Sequence, residues 1–243
     1  MPTSNKEYDK LIKKIDNILL LIKNEPQKFE SVFTELFHKD FEKGLNFINS
    51  LETGLLKGLV ISVKDLFDVK NYKTRGGSKF LNSLPANKDA DCIALIRKAG
   101  GLLLGHTNMT ELAYSGLGIN PHNGTPNNPL YKNSIPGGST SGGAVSIALD
   151  VADITIGTDT GGSTRIPAAF TGITGFKPTQ DNISRTGCLT LSSSLDSVGL
   201  MAKNIELCKK GYEVMKEKKK TNQKANNKGL KFIIPSNFGF ENI

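Results

Sequence analysis

Residues 136–179 read PGGSTSGGAVSIALDVADITIGTDTGGSTRIPAAFTGITGFKPT, and the rest of the chain is interpreted around them. Two serines, Ser139 and Ser163, each follow a pair of glycines and lie 24 positions apart. Between them Ala144–Ile156 is apolar enough to be buried. Glycines beside a serine let the backbone turn sharply and bring bare N–H groups close to a reacting atom. Each serine is therefore a candidate nucleophile. Gly/Ser/Thr loops also serve as plain turns or phosphate cradles, so composition leaves both readings open.

Outward from this stretch, strand and helix patterns alternate. Leu59–Val63 is a short β-branched run that ends in Lys64-Asp65, and it predicts a buried strand. A lysine at a strand end is ordinarily a surface group. Asp89–Lys98 predicts a helix closed by Gly100-Gly101, with a strand at Leu102–Leu104. Thr107–Glu111 is expected to open another helix, capped by Thr107 or Asn108. From Gly116 to Gly138 the density of Gly, Asn and Pro predicts a loop, long enough to point to function. Gly142–Asp150 reads as a buried helix, Asp153–Gly157 as a strand, and Arg165–Phe170 as a further helix. The alternation predicts an α/β fold with largely parallel pairing.

The flanks add packing rather than chemistry. Leu11, Ile12, Ile15, Ile18, Leu19 and Ile22 mark one face of an amphipathic helix over residues 4–23. A second helix is expected from Pro26 to about Ser50, burying Phe29, Val32, Phe33, Leu36, Phe37 and Phe41. These helices form an N-terminal arm over residues 1–50. At the other end, Asn204–Lys218 predicts an amphipathic helix, the lysine-rich run that follows a solvated linker, and Leu230–Ile234 a strand.

Bulk properties exclude several classes. The chain has 243 residues, 37% hydrophobic and 22% charged, which is ordinary for a globular protein. Its net charge of +8 is carried almost wholly by lysine, the arginines being Arg75, Arg97, Arg165 and Arg185. Groove readers and phosphate clamps favour the arginine fork, so the charge reads as a solvated surface and nucleic acid as at most an indirect partner. Cys92, Cys188 and Cys208 are scattered, and His38, His106 and His122 show no ligand spacing, which argues against a disulfide framework or a metal centre. No leader pattern or long apolar run is present, so a cytoplasmic protein without membrane contact is expected. The absence of G-x-S-x-G, S-x-x-K and G-x-x-x-x-G-K-[ST] removes three familiar uses of serine or glycine. If a serine is the nucleophile, a lysine is the base that remains.

Taken together, three motifs carry a family resemblance. They are Ser62-Val-Lys64-Asp65-Leu-Phe, Thr107-Asn-Met109-Thr-Glu-Leu-Ala, and Gly-Gly-Ser139 followed by Gly-Thr-Asp-Thr-Gly-Gly-Ser163-x-Arg165-x-Pro167 and Gly-Phe-Lys-Pro-Thr179. In this order and spacing, over residues 55–205, the chain resembles the amidase signature family. The resemblance implies a mixed sheet flanked by helices and a Ser–Ser–Lys triad that cleaves a carboxamide through an acyl-enzyme. Ser163 would be the nucleophile, Ser139 the bridging serine after a cis peptide, and Lys64 the base. It further implies an oxyanion hole from the N–H groups of Thr160, Gly161, Gly162 and Ser163, and Met109 near the substrate. Arg165 is expected to brace the loop through Asp159 or backbone carbonyls rather than touch substrate, and Asp196 to organise its own loop. No cofactor is implied.

Family members are considerably longer. The chain therefore reads as a signature core over 51–205, followed over 206–243 by a linker and the start of a missing second half. Three functions follow from the resemblance: a stand-alone amidohydrolase acting on a small amide, an A-type subunit of a glutamine-dependent, tRNA-linked amidotransferase, or an inert piece that only binds. The partners expected are a small amide substrate and either a second copy of the chain or a partner subunit. Asn108–Gly118 resembles the stand-alone enzymes more closely.

Overall fold

Strand β2 (Val60–Lys64) runs between β3 (Leu102–Thr107) and β4 (Ile154–Asp159), buried along its whole length and parallel to both. These strands lie at the centre of a computed structural model that describes residues 6–81 and 84–217. Each has both faces covered, which is why none of them alternates polar and apolar residues. The sheet continues antiparallel on each side. β1 (Phe33–Leu36) pairs with β3, β6 (Ser197–Ala202) with β4, and β5 (Thr174–Phe176) with β6, giving the order β1-β3-β2-β4-β6-β5. The expected mixed α/β sheet is thus present, with its parallel part confined to the central trio.

Helices cover the two faces. On β4, a Cβ placed on Gly211 of α7 (Ile205–Met215) would lie near Ile154, whereas one on Gly143 of α5 (Ser141–Ala148) would meet Thr155. Successive strand residues point to opposite faces, so α5 and α7 lie on opposite sides of the sheet. α6 (Arg165–Thr171) packs with α5, and α4 (Asp91–Lys98) packs with α7. α5 contains Gly142 and Gly143 because it lies close on its neighbours. A side-chain carbon at Gly142 would come within 2.3 Å of the Val32 carbonyl oxygen.

The N-terminal α1 (Lys6–Asn24) buries Leu11, Ile15 and Ile18, the face its periodicity marked. The single helix expected from Pro26 to Ser50 is instead three elements: α2 (Pro26–Phe29), β1, and α3 (His38–Ser50). Tertiary hydrogen bonding overrides the helical spacing. Val32 O accepts from Asn108 N, and Phe37 N donates to Leu104 O, both at 2.9 Å, which draws the segment into the sheet as an edge. Gly105 allows this approach, since a Cβ there would lie 2.5 Å from the Glu35 carbonyl oxygen. Val32 and Phe37, at the two ends of β1, are fully buried.

The helix expected to open at Thr107 is also absent. Thr107 ends β3, and only a single 3-10 turn forms at Glu111–Ala113. The intervening backbone is engaged elsewhere: Gly142 N donates to Asn108 O at 2.9 Å and Thr110 N to Ser139 O at 3.0 Å. α7 is capped by the Asn204 side chain, which accepts from Leu207 N at 3.0 Å. The expected linker from Lys218 onward and the expected strand Leu230–Ile234 lie outside the described residues.

Candidate active site

Lys64 is the last residue of β2 and is wholly buried, not a surface group. Its amine lies 2.7 Å from Ser139 Oγ and 2.9 Å from Thr158 Oγ1, its hydrogen-bond partners among the described residues. Burial pushes the Lys64 amine down to about 7, against the opposing pull of nearby groups that include Asp159 and Asp196. A lysine in that condition is substantially neutral at neutral pH and can accept a proton.

Ser139 is wholly buried on the turn that leads into α5, and the Gly138–Ser139 peptide is cis. Glycine is required at 138, because a Cβ would come within 2.6 Å of Gly118 N. Ser163 stands on the neighbouring turn, between β4 and α6, and is 8% exposed. Thr140 N donates to Ser163 O at 3.2 Å, which sets the two serine turns side by side. The Ser163 hydroxyl makes no hydrogen bond to another side chain among the described residues. The structure therefore joins Lys64 to Ser139 directly and sets Ser163 beside them through the backbone.

Asp159 builds the Ser163 turn. Its carboxylate accepts from Gly162 N at 2.8 Å, Thr164 N at 3.2 Å and Arg165 N at 3.3 Å. The Arg165 guanidinium grips the same carboxylate with two prongs, Nε at 3.0 Å and Nη2 at 2.9 Å. Burial disfavours the charge on Asp159, but Arg165 and the backbone donors more than offset it and hold the carboxyl below the usual range. Gly162 has a φ of 134°, which a side chain would strain.

This geometry corrects one expectation. The Gly162 N–H is committed to Asp159 and is not free for an oxyanion. The N–H groups of Thr160, Gly161 and Ser163 donate to nothing among the described residues. A Cβ on Gly161 would meet nothing within 4 Å, so this turn presents an open backbone surface.

Met109 requires a second correction. Its side chain is fully buried in the core beneath Gly77, so it lines no opening. An apolar thioether next to a glycine fills core space. The segment around it is fastened by Asn120, whose amide donates to the carbonyls of Gly77 and Met109 at 2.7 Å each. The open surface nearby is a mainly apolar cleft lined by Thr110, Glu111, Leu112, Tyr114, Ile119, Pro121 and Leu191. Arg165 and Asp196 take the bracing parts expected of them. Asp196 accepts from Leu191 N, Ser192 N and the Thr160 hydroxyl.

The sequence reading missed Thr158. Its signal was the end of a buried strand beside Lys64's own: β2 and β4 are parallel with Val63 opposite Ile156, so their C-terminal ends converge.

Two neighbouring strand ends thus bring a buried lysine amine within hydrogen-bond reach of the Ser139 and Thr158 hydroxyls, beside a second glycine-flanked serine. The chain belongs to the amidase family, whose pattern matches residues 23–234. It is 43% identical over 157 residues to the A-type subunit of the glutamyl-tRNA(Gln) amidotransferase of Chromohalobacter salexigens, a match covering 65% of this chain and 32% of that protein. Among solved structures it resembles an amidase with a TM-score of 0.75 and 35% identity, over 83% of this chain and 47% of the other. It also resembles a chain of an inhibitor-bound vestigial complex described as revealing the origins of an s-triazine catabolic enzyme, with a TM-score of 0.81 and 29% identity over 88% and 47% of the two chains. The match thus spans about a third of the curated relative and about half of each of these solved chains. Among the described residues no helix is long and apolar enough to cross a membrane.

Proposed function

We propose that this chain carries the catalytic core of an amide hydrolase. The observation that carries the reading is the fully buried Lys64 amine, 2.7 Å from the hydroxyl of Ser139 and held near neutrality at physiological pH. In the proposed reaction Ser163 Oγ attacks the amide carbonyl carbon. Its proton passes to Ser139, whose own proton passes to Lys64. The carbonyl oxygen takes the negative charge and is met by the N–H groups of Thr160, Gly161 and Ser163. Collapse breaks the C–N bond, and the proton returns through Ser139 to the departing nitrogen. Water, activated along the same relay, then cleaves the Ser163 ester and releases the acid.

A fluorophosphonate probe tests this directly. Wild type should be labelled at Ser163, and Ser163→Ala should remain folded and unlabelled. Labelling elsewhere, or no labelling of folded wild type, refutes the reading.

The identity to the A-type component of a glutamyl-tRNA(Gln) amidotransferase favours a second reading, in which glutamine is the amide and the ammonia is handed to a partner protein. Ammonia release from simple carboxamides by the chain alone supports the stand-alone hydrolase. Release confined to glutamine, in the presence of a co-purifying partner, supports the second reading. For either reading the site faces a soluble small molecule, and we place the protein in the cytoplasm.

A further inference from the structure

Lys64 has two hydroxyls within reach, and the relay described above uses one of them. We propose that Thr158 is a positioning residue, whose hydroxyl oxygen accepts an N–H from Lys64 and so turns the lysine lone pair onto the Ser139 hydroxyl. The inference rests on the amide-hydrolase reading of the same site.

A neutral primary amine carries two N–H bonds and one lone pair on a freely turning head. In a buried pocket its neighbours set that rotation. Ser139 must donate to the lone pair for the relay to run. If an N–H points at Ser139 Oγ instead, that oxygen accepts, and the proton cannot move the needed way. An acceptor at 2.9 Å on another side of the nitrogen engages one N–H and favours the productive rotamer.

Thr158 is well placed for this task. Its backbone pairs with Val198 of β6, and its carbonyl accepts from the Thr164 hydroxyl at 3.2 Å. The backbone that carries the hydroxyl is thereby fixed to the sheet on one side and to the Ser163 turn on the other. A β-branched side chain adds stiffness at χ1. The charged and titratable groups around Lys64 are Asp159, Asp196 and Cys188. None of them hydrogen-bonds the amine among the described residues. Asp159 is engaged by Arg165, Asp196 by Thr160 and its own loop, and burial pushes the Cys188 thiol up to about 12. Thr158 is thus the contact that orients the nitrogen.

The test compares Thr158→Val, Thr158→Ala and Thr158→Ser. Labelling by the fluorophosphonate probe is followed against pH, and the Lys64 amine is titrated by NMR of isotope-labelled lysine in a Ser163→Ala background. Thr158 also stabilises the ammonium as an acceptor, so its loss lowers the lysine pKa. Thr158→Val is expected to label about tenfold more slowly at the high-pH plateau, with its midpoint at lower pH. The NMR titration should move the same way, and Thr158→Ser should restore both. Thr158→Ala provides the same readings if the valine variant melts early.

A hydroxyl-free variant with the wild-type plateau, an unmoved Lys64 titration, or a folded Thr158→Ser that fails to recover would overturn the proposal. If wild type does not label at Ser163, the hydrolase reading falls, while the NMR titration still decides whether Thr158 controls the amine.

Discussion

The Thr160 hydroxyl donates to Asp196 Oδ1 at 2.5 Å, so the turn that precedes Ser163 is moored to the loop that leads into β6. Asp196 keeps two backbone donors without it, from Leu191 and Ser192. Thr160→Val should therefore cost only about 1 kcal/mol in stability. Labelling of Ser163 should nevertheless slow by about tenfold or more, because the N–H groups of the turn lose their setting. Equal labelling rates in the two proteins would show that the mooring is irrelevant to chemistry.

Lys64 gives a second prediction. Accepting a proton requires the neutral amine, and burial holds its pKa at about 7. Labelling should rise with pH to a half-maximum near 7 and fall about tenfold for each pH step well below it. Stability responds in a different window. The unfolded chain, with the lysine at 10.5, binds one more proton than the folded chain between about 7 and 10.5. Stability from this group therefore increases with pH across that range. Lys64→Met should abolish labelling and remove that slope. A variant whose melting curves keep the wild-type pH dependence would contradict the assignment.

Asp65 and His106 form a buried pair beneath the site, with Asp65 Oδ1 3.5 Å from His106 Nδ1. His106 Nε2 lies 3.0 Å from the Phe67 carbonyl, so that nitrogen carries the hydrogen and Nδ1 is bare. Burial raises the Asp65 carboxyl to about 7 and lowers the His106 imidazole to about 3. Asp65 makes the folded state bind extra protons between 3.8 and about 7, so its stabilisation is lost as pH rises through about 7. His106 makes the unfolded state bind extra protons between about 3 and 6.5, so its contribution is lost as pH falls. The two effects oppose each other over their shared range. Asp65→Asn leaves the histidine slope alone, and stability should drop by about 1.4 kcal/mol per pH step below 6.5. Melting temperatures from about pH 4 to about pH 8 decide this, and parallel curves for wild type and variant would dismiss it.

Gly105→Ala tests how the edge strand is held. The added methyl would sit 2.5 Å from the Glu35 carbonyl oxygen, which is backbone and cannot swing aside. Expected are a loss of about 1–3 kcal/mol and earlier proteolytic cutting within the segment from Glu30 to His38. Wild-type stability with unchanged cutting would mean that β1 contributes little.

Much of the arrangement was legible in the residues. The strands read at Leu59–Val63, Leu102–Leu104 and Asp153–Gly157 fall within or beside β2, β3 and β4, and the glycine-flanked serines stand at their recognisable spacing. β1 was not legible, because Val32, Phe33, Leu36 and Phe37 satisfy a helical period. The pairing of Phe33, Glu35 and Leu36 with β3, flanked by the hydrogen bonds from Phe37 to Leu104 and from Asn108 to Val32, decides otherwise. Thr107–Glu111 failed for a similar reason, since its backbone partners lie on distant segments. Within the site, motif spacing indicated Lys64, Ser139 and Ser163. It could not reveal that Asp159 takes the Gly162 N–H, that Met109 turns inward, or that Thr158 reaches Lys64. Those facts depend on side-chain direction, which no spacing records.

Lys64, Thr158 and Asp159 hang from the ends of interior strands, whereas the cleft lined by Leu112, Tyr114 and Ile119 is walled by segments outside the sheet. Leu112, Tyr114 and Ile119 are substantially exposed, so exchanging them should disturb folding little. Reactive groups and cleft thus rest on separate foundations, so on the amide-hydrolase reading exchanges in the cleft should alter which amide is taken while leaving the strand-end groups in place.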